Sequence, residues 1–244
     1  MSAKSLAKGS LYALGLTVWV VFSLFVGQAL AAIIVFSLPQ ASNDSVVATI
    51  LAALGYILAL ALALCVPALA TRKFASKETL GIGRLPLVSD IGLGTLAVLP
   101  YYITSGIILW FGMEVLKVVD PNVGQQIPFQ NLTLQIEFIV AFITLVVMAP
   151  FAEELLFRGY FLGRMKEKTG KWVAVFVTAL VFGLMHLLSF TDTGLVLQWS
   201  AAADTFAMGL VAGLLRVFTG SIWAGVVLHA IKNGIAFYFL FIYR

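Results

Sequence analysis

The sequence predicts an all-α protein, a polytopic membrane helix bundle with about seven transmembrane helices. Three observations carry that prediction. Mean hydropathy is +1.05 and charged residues make up only 11%, where a soluble domain carries about 25%. Residues 10–43, 45–71 and 91–113 contain no charge, and His186 is the only ionisable group in 172–191. Apolar runs longer than about 18 residues fill the hydrocarbon core of a bilayer as helices. The basic residues are not pooled, as nucleic-acid binding would require; they recur between the apolar runs.

The expected spans are 11–36, 46–70, 91–113, 134–165, 172–190, 203–219 and 222–242. Lys4 and Lys8 precede the first. Arg72, Lys73, Lys77 and Arg84 follow the second, and Arg164, Lys166, Lys168 and Lys171 follow the fourth. Arg216 lies near the end of the sixth. Segments 37–45, 114–133 and 190–203 hold a single basic residue, Lys117. The positive-inside rule therefore predicts a cytoplasmic N-terminus and a C-terminus on the opposite side. The first apolar run continues to Leu38, past the 7–15 residues of a signal-peptide core, so it is read as a retained helix despite Ala29-Leu30-Ala31. Gly81, Gly83 and Pro86 predict turns in the second loop, and Asp120-Pro121-Asn122 with Gly124 predict them in the next. Glu78 and Asp90 are read as residues of a solvated loop, and Asp204 as the N-cap of the sixth helix. With no repeat or low-complexity tract, residues 1–244 read as one integral membrane domain. The lone Cys65 forms no internal disulfide and reads as a small core or lipid-facing residue.

The fourth span breaks the apolar pattern. Glu153, Glu154 and Arg158 lie in it, each costing about 2.5–3.5 kcal/mol in hydrocarbon. An intramembrane cluster of this kind reads first as a functional site. Glu154 and Arg158 are four residues apart and share a helix face, which suits a structural ion pair. Glu153 points about 100° away, leaving its carboxylate for chemistry. Pro150 lacks an N–H and frees a carbonyl about one turn before Glu153. Two further motifs follow, Phe182-x-x-x-His186 and His229-x-x-x-Asn233. Helix rise places Glu153 and His186 each roughly 20 Å from the Lys166–Lys171 turn, and His229 at a comparable depth. All three motifs can therefore converge on one chamber within the membrane, with Gly183, Gly225 and Gly234 permitting close helix approach. Beside them, Lys232 is read as paired with an acid.

Glu-Glu-x-x-x-Arg, Phe-x-x-x-His and His-x-x-x-Asn, in that order on successive membrane helices, resemble the CAAX protease and bacteriocin-processing (CPBP, Abi-like) family of intramembrane proteases. The resemblance covers 134–243 and takes in Arg216–Ser221 and Trp223. It implies an endopeptidase acting on a membrane-bound peptide or protein in the lipid bilayer. It also implies catalytic roles: Glu153 as general base assisted by His186, and His229 with Asn233 stabilising the oxyanion. Glu154 and Arg158 would give structural support. The family is often classed as metalloendopeptidase, and a metal-free glutamate mechanism has also been put forward for it. Glu153, His186 and His229 are the candidate zinc ligands, though His-Glu-x-x-His is absent. A compact inner-membrane protein of a bacterium is the expected setting.

Two rival readings stand beside this one. A non-catalytic scaffold or immunity-type protein of the same fold would use the polar core for stability or partner binding. A bis-histidine haem or ion-translocating protein would use His186 and His229, and would leave Glu153, Glu154 and Arg158 without a role.

Overall fold

The computed structural model describes residues 3–37, 45–120, 132–191 and 194–243. The predicted turn at Pro121–Gly124 lies outside them. Helices α1 (Ala3–Phe36) and α2 (Ser45–Thr71) pack side by side. A Cβ at Gly27 would collide with the backbone of Ala59, so glycine sets how closely the pair approaches. A short helix α3 (Lys77–Leu80) leads into α4 (Val88–Leu96) and α5 (Val98–Glu114), which together make one apolar stretch, Val88–Glu114.

The fourth span runs from Gln135 to Thr169 and is not a uniform helix. It divides into α6 (Gln135–Phe142), a π turn π1 (Ile143–Met148), α7 (Ala149–Glu154), a second π turn π2 (Leu155–Phe161) and α8 (Leu162–Thr169). Then come α9 (Lys171–Leu184), a hairpin of β1 (Leu188–Thr191) and β2 (Gly194–Leu197), and α10 (Trp199–Thr219). The chain closes with α11 (Trp223–Phe237) and a last π turn, π3 (Tyr238–Ile242). Among the described residues six helices are long and apolar enough to cross a membrane.

The remaining apolar stretch departs from expectation. Its helix was expected over 172–190 but ends at Leu184, 14 residues after it begins. That is about 21 Å, short of a ~30 Å hydrocarbon core. The antiparallel strands β1 and β2, in register from Leu188↔Leu197 to Thr191↔Gly194, follow the helix, and α10 then packs beside α9. His186 thus sits just past a helix end. Non-helical backbone at such a depth is tolerated where it lines a protein cavity.

Two acids were misread. Asp90 is 1% exposed rather than solvated. Its carboxylate accepts two bonds from Arg84 (2.6 and 2.8 Å) and one from the Leu87 N–H (2.8 Å), capping α4. That hydrogen bonding raises the pKa of Arg84 and keeps the pair ionised. Asp204 lies inside α10 rather than at its N-cap. It accepts from the Tyr101 hydroxyl (2.7 Å) and the Ser105 hydroxyl (2.6 Å), and Lys232 Nζ stands 3.4 Å away. Lys232 is therefore paired with an acid. The causes differ: Asp204 meets partners contributed by distant helices, whereas Asp90 is held by near neighbours in its own loop, Arg84 and the Leu87 N–H.

Candidate active site

Pro150 shapes the fourth span before Glu153 is reached. The Ala149 N–H bonds Thr144 O, five residues back, in the π pattern. In that pattern the Leu145 carbonyl would accept from residue 150, and proline has no N–H to give. The carboxamide of Asn233 supplies the missing donor, with Nδ2 2.8 Å from Leu145 O. The freed carbonyl is thus Leu145 O, about two turns before Glu153 rather than one, and α11 is fastened to the fourth span there. The short α7 holds both glutamates between two π turns, a local irregularity common at functional sites.

The two glutamates diverge. Glu154 is fully buried and its Oε1 lies 3.1 Å from Arg158 Nη1, which is itself 1% exposed. The guanidinium also lies over the Phe182 ring, 4.4 Å from its centroid. Glu153 points elsewhere and lines a cavity of about 390 Å³. His186 lines the same cavity, its Nδ1 3.0 Å from Phe182 O. That contact fixes the ring and leaves Nε2 for the site.

His229 joins the two carboxylates. Its Nδ1 is 3.4 Å from Glu154 Oε1 and its Nε2 is 3.7 Å from Glu153 Oε2. Gly225, one turn earlier on α11, makes this approach feasible, because a Cβ there would lie 2.8 Å from Glu154 Oε2. Phe182 is the hub of the cluster, with its ring against Arg158, His186 and His229.

The structure therefore brings Glu153, Glu154, Arg158, His186 and His229 together. Asn233 is on the same helix one turn beyond His229, held on Leu145 O rather than on either glutamate. Both Glu154 oxygens, both terminal nitrogens of Arg158 and Nδ1 of His229 are buried without an aligned hydrogen-bond partner. The 3.1 and 3.4 Å approaches are therefore charge contacts rather than well-directed hydrogen bonds. Buried atoms left in this state mark a site with unmet polar capacity, as catalytic centres have.

Among the described residues no three His, Cys, Asp or Glu side chains converge as a metal-binding group. Glu153 and His229 face each other, but His186 contributes no third ligand to that pair. The donor set does not fit a three-ligand zinc site.

Sequence reasoning missed two residues of the cavity, Gln28 on α1 and Tyr56 on α2. Tyr56 lines the same cavity as Glu153. Both lie in uncharged spans, where an amide and a phenol were the only signals.

Comparison with known proteins bears on residues 135–235, which match the family model described as type II CAAX prenyl endopeptidase Rce1-like. No curated protein and no solved structure matches the chain.

Proposed function

We infer that the chain, whose residues 135–235 match the type II CAAX prenyl endopeptidase (Rce1-like) family, which is the CPBP family, hydrolyses a peptide bond with water activated by Glu153. The family implies an integral membrane endopeptidase of the CAAX type. The observation that carries the mechanism is the separation of the glutamates: Glu154 against Arg158, Glu153 facing the cavity with His186.

In this reading a water sits between Glu153 and His186. Glu153 takes its proton as the oxygen attacks the carbonyl carbon of the scissile bond. The carbonyl oxygen becomes an oxyanion, stabilised by hydrogen bonds from the protonated Nε2 of His229 and from the second N–H of the Asn233 amide. The intermediate collapses, the C–N bond breaks, and Glu153 returns its proton to the leaving nitrogen. Glu154 orients His229 through Nδ1, while Arg158 balances the charge of Glu154. No step is routed through a metal. The N-terminus is assigned to the cytoplasm, on the distribution of lysine and arginine, and a bacterial inner membrane suits the compact chain. Residues 1–244 act as one domain, because α1 and α2 line the same cavity as the matched segment.

The test uses the full-length protein in liposomes with a quenched fluorescent peptide that ends in a farnesylated CAAX sequence. Glu153→Gln is expected to lower turnover by at least about 100-fold, the contribution of a general base, with an unchanged melting temperature. Turnover by the wild type is expected to survive a zinc chelator. Full turnover in Glu153→Gln overturns the mechanism, whereas absence of turnover in the wild type favours the scaffold reading.

A further inference from the structure

The cavity around Glu153 and His186 has a wall outside the family-matched segment. Helix α1 contributes Leu24, Phe25 and Gln28, and α2 contributes Tyr56. Among the described residues, several neighbouring polar groups on α1 are engaged elsewhere. Thr17 and Ser23 donate to carbonyls of their own helix, and the Trp19 indole donates to Ala63 O across the pair. Gln28 and Tyr56 instead reach the cavity.

Their placement is built into the backbone. The Gln28 carboxamide lies across Gly55, where any Cβ would collide with it. Gly55 immediately precedes Tyr56, so the amide and the phenol stand side by side on one wall. Gly27, immediately before Gln28, brings α1 against Ala59 and fixes the register. Two glycines on two helices thus set this polar pair opposite Glu153.

The two groups fit two different tasks. Tyr56 lines the cavity with Glu153, and a phenol there can donate to one carboxylate oxygen, holding the rotamer of Glu153 and leaving the other oxygen for water. A carboxamide offers a donor and an acceptor on one rigid plane, which matches a single peptide unit. A peptide backbone drawn into hydrocarbon must have its N–H and C=O groups satisfied, and the rest of this wall is apolar. Gln28 is exposed at the cavity edge, where an incoming segment would pass.

We propose that Gln28 binds the backbone of an extended peptide substrate and that Tyr56 is a positioning residue for Glu153, so that α1 and α2 supply the half of the site that the family-matched segment lacks. The proposal rests on the peptidase reading above. It assigns recognition of the peptide backbone to this wall, independently of the substrate's side chains.

The experiment uses the full-length protein in liposomes and the same farnesylated quenched peptide. Tyr56→Phe is expected to lower kcat about tenfold with little change in KM. A purely structural tyrosine would lower the melting temperature without this split between kcat and KM. Gln28→Leu is expected to raise KM about fivefold to thirtyfold, the effect of a lost hydrogen-bonding group. In a Glu153→Gln background the Kd of the uncut peptide rises by the same factor when Gln28→Leu is added. Melting temperatures identify any variant that misfolds, and Gln28→Ala then replaces Gln28→Leu. If Glu153→Gln is inactive while Tyr56→Phe keeps the wild-type kcat, the role of Tyr56 is overturned. If neither KM nor Kd responds to Gln28→Leu, its role is overturned. If Glu153→Gln is as active as the wild type, the peptidase mechanism itself fails, an outcome distinct from both.

Discussion

Glu154 and Arg158 are an ion pair with almost no access to solvent. Removing each ion from water costs several kcal/mol, and the partner is what makes the other tolerable. Arg158→Met leaves Glu154 buried and unbalanced and is expected to cost about 3–5 kcal/mol of stability. The double variant Glu154→Leu/Arg158→Met removes both charges and is expected to be more stable than either single variant. Denaturant unfolding of the four proteins as a double-mutant cycle measures this. The same cycle read by activity separates the roles: the double variant regains stability but not turnover, because His229 has lost the carboxylate beside Nδ1.

At the scale of the element, Pro150 is the residue that bends the fourth span into its working shape. Its missing N–H leaves Leu145 O to Asn233 and registers α11 on the helix that carries Glu153. Pro150→Ala restores a donor for that carbonyl and lowers the energy of a regular helix. Stability is expected to stay the same or rise. Activity is expected to fall about tenfold or more, since a misplacement near 1 Å is costly to catalysis. Paired thermal melts and peptide turnover check both directions. A loss of stability with unchanged turnover would show that the π turn is unconnected to the site. Gly225 acts in the same way from the opposite helix, because any larger residue there presses on Glu154.

Across the whole molecule, Arg216 joins the matched helices to the loop after α2. It is 1% exposed, and its guanidinium donates to the carbonyls of Glu78 (2.9 Å), Thr79 (3.0 Å) and Arg158 (3.2 Å). The first two lie in α3, where Glu78 O also accepts from the Gly81 N–H. The third belongs to π2. Nearby, Ile222 N–H donates to Gly81 O and the Trp223 indole to Arg84 O, so the loop is fastened along its length. Gly81 has φ 71°, a left-handed conformation that glycine adopts without strain, and it closes α3 beside Arg216. Arg216→Met removes three donations at once. Trypsin is then expected to cut after Lys77 and Arg84 several times faster in membranes oriented with this loop outward. An unchanged digestion rate would mean that the loop is held without Arg216.

The sequence by itself determined the class of the protein, the order and approximate position of its apolar helices, and which ionisable residues lie among them. Hydropathy and helical spacing are local properties, so Glu154 beside Arg158 was readable from a four-residue interval. The depth of Glu153 against His186 followed from counting residues along two helices. The hairpin after Leu184 was not readable, because its flanks are as apolar as the helix that precedes it. Asp204 was placed at a cap because Tyr101, Ser105 and Lys232 meet it only after the helices pack, whereas Asp90 was placed in solvent although its partners, Arg84 and the Leu87 N–H, lie within six residues. Gln28 and Tyr56 carry no charge and match no motif. Only the tertiary structure decided that they face Glu153, because a side chain's partner across a helix interface is fixed by how closely the backbones approach, here at Gly27 and Gly55.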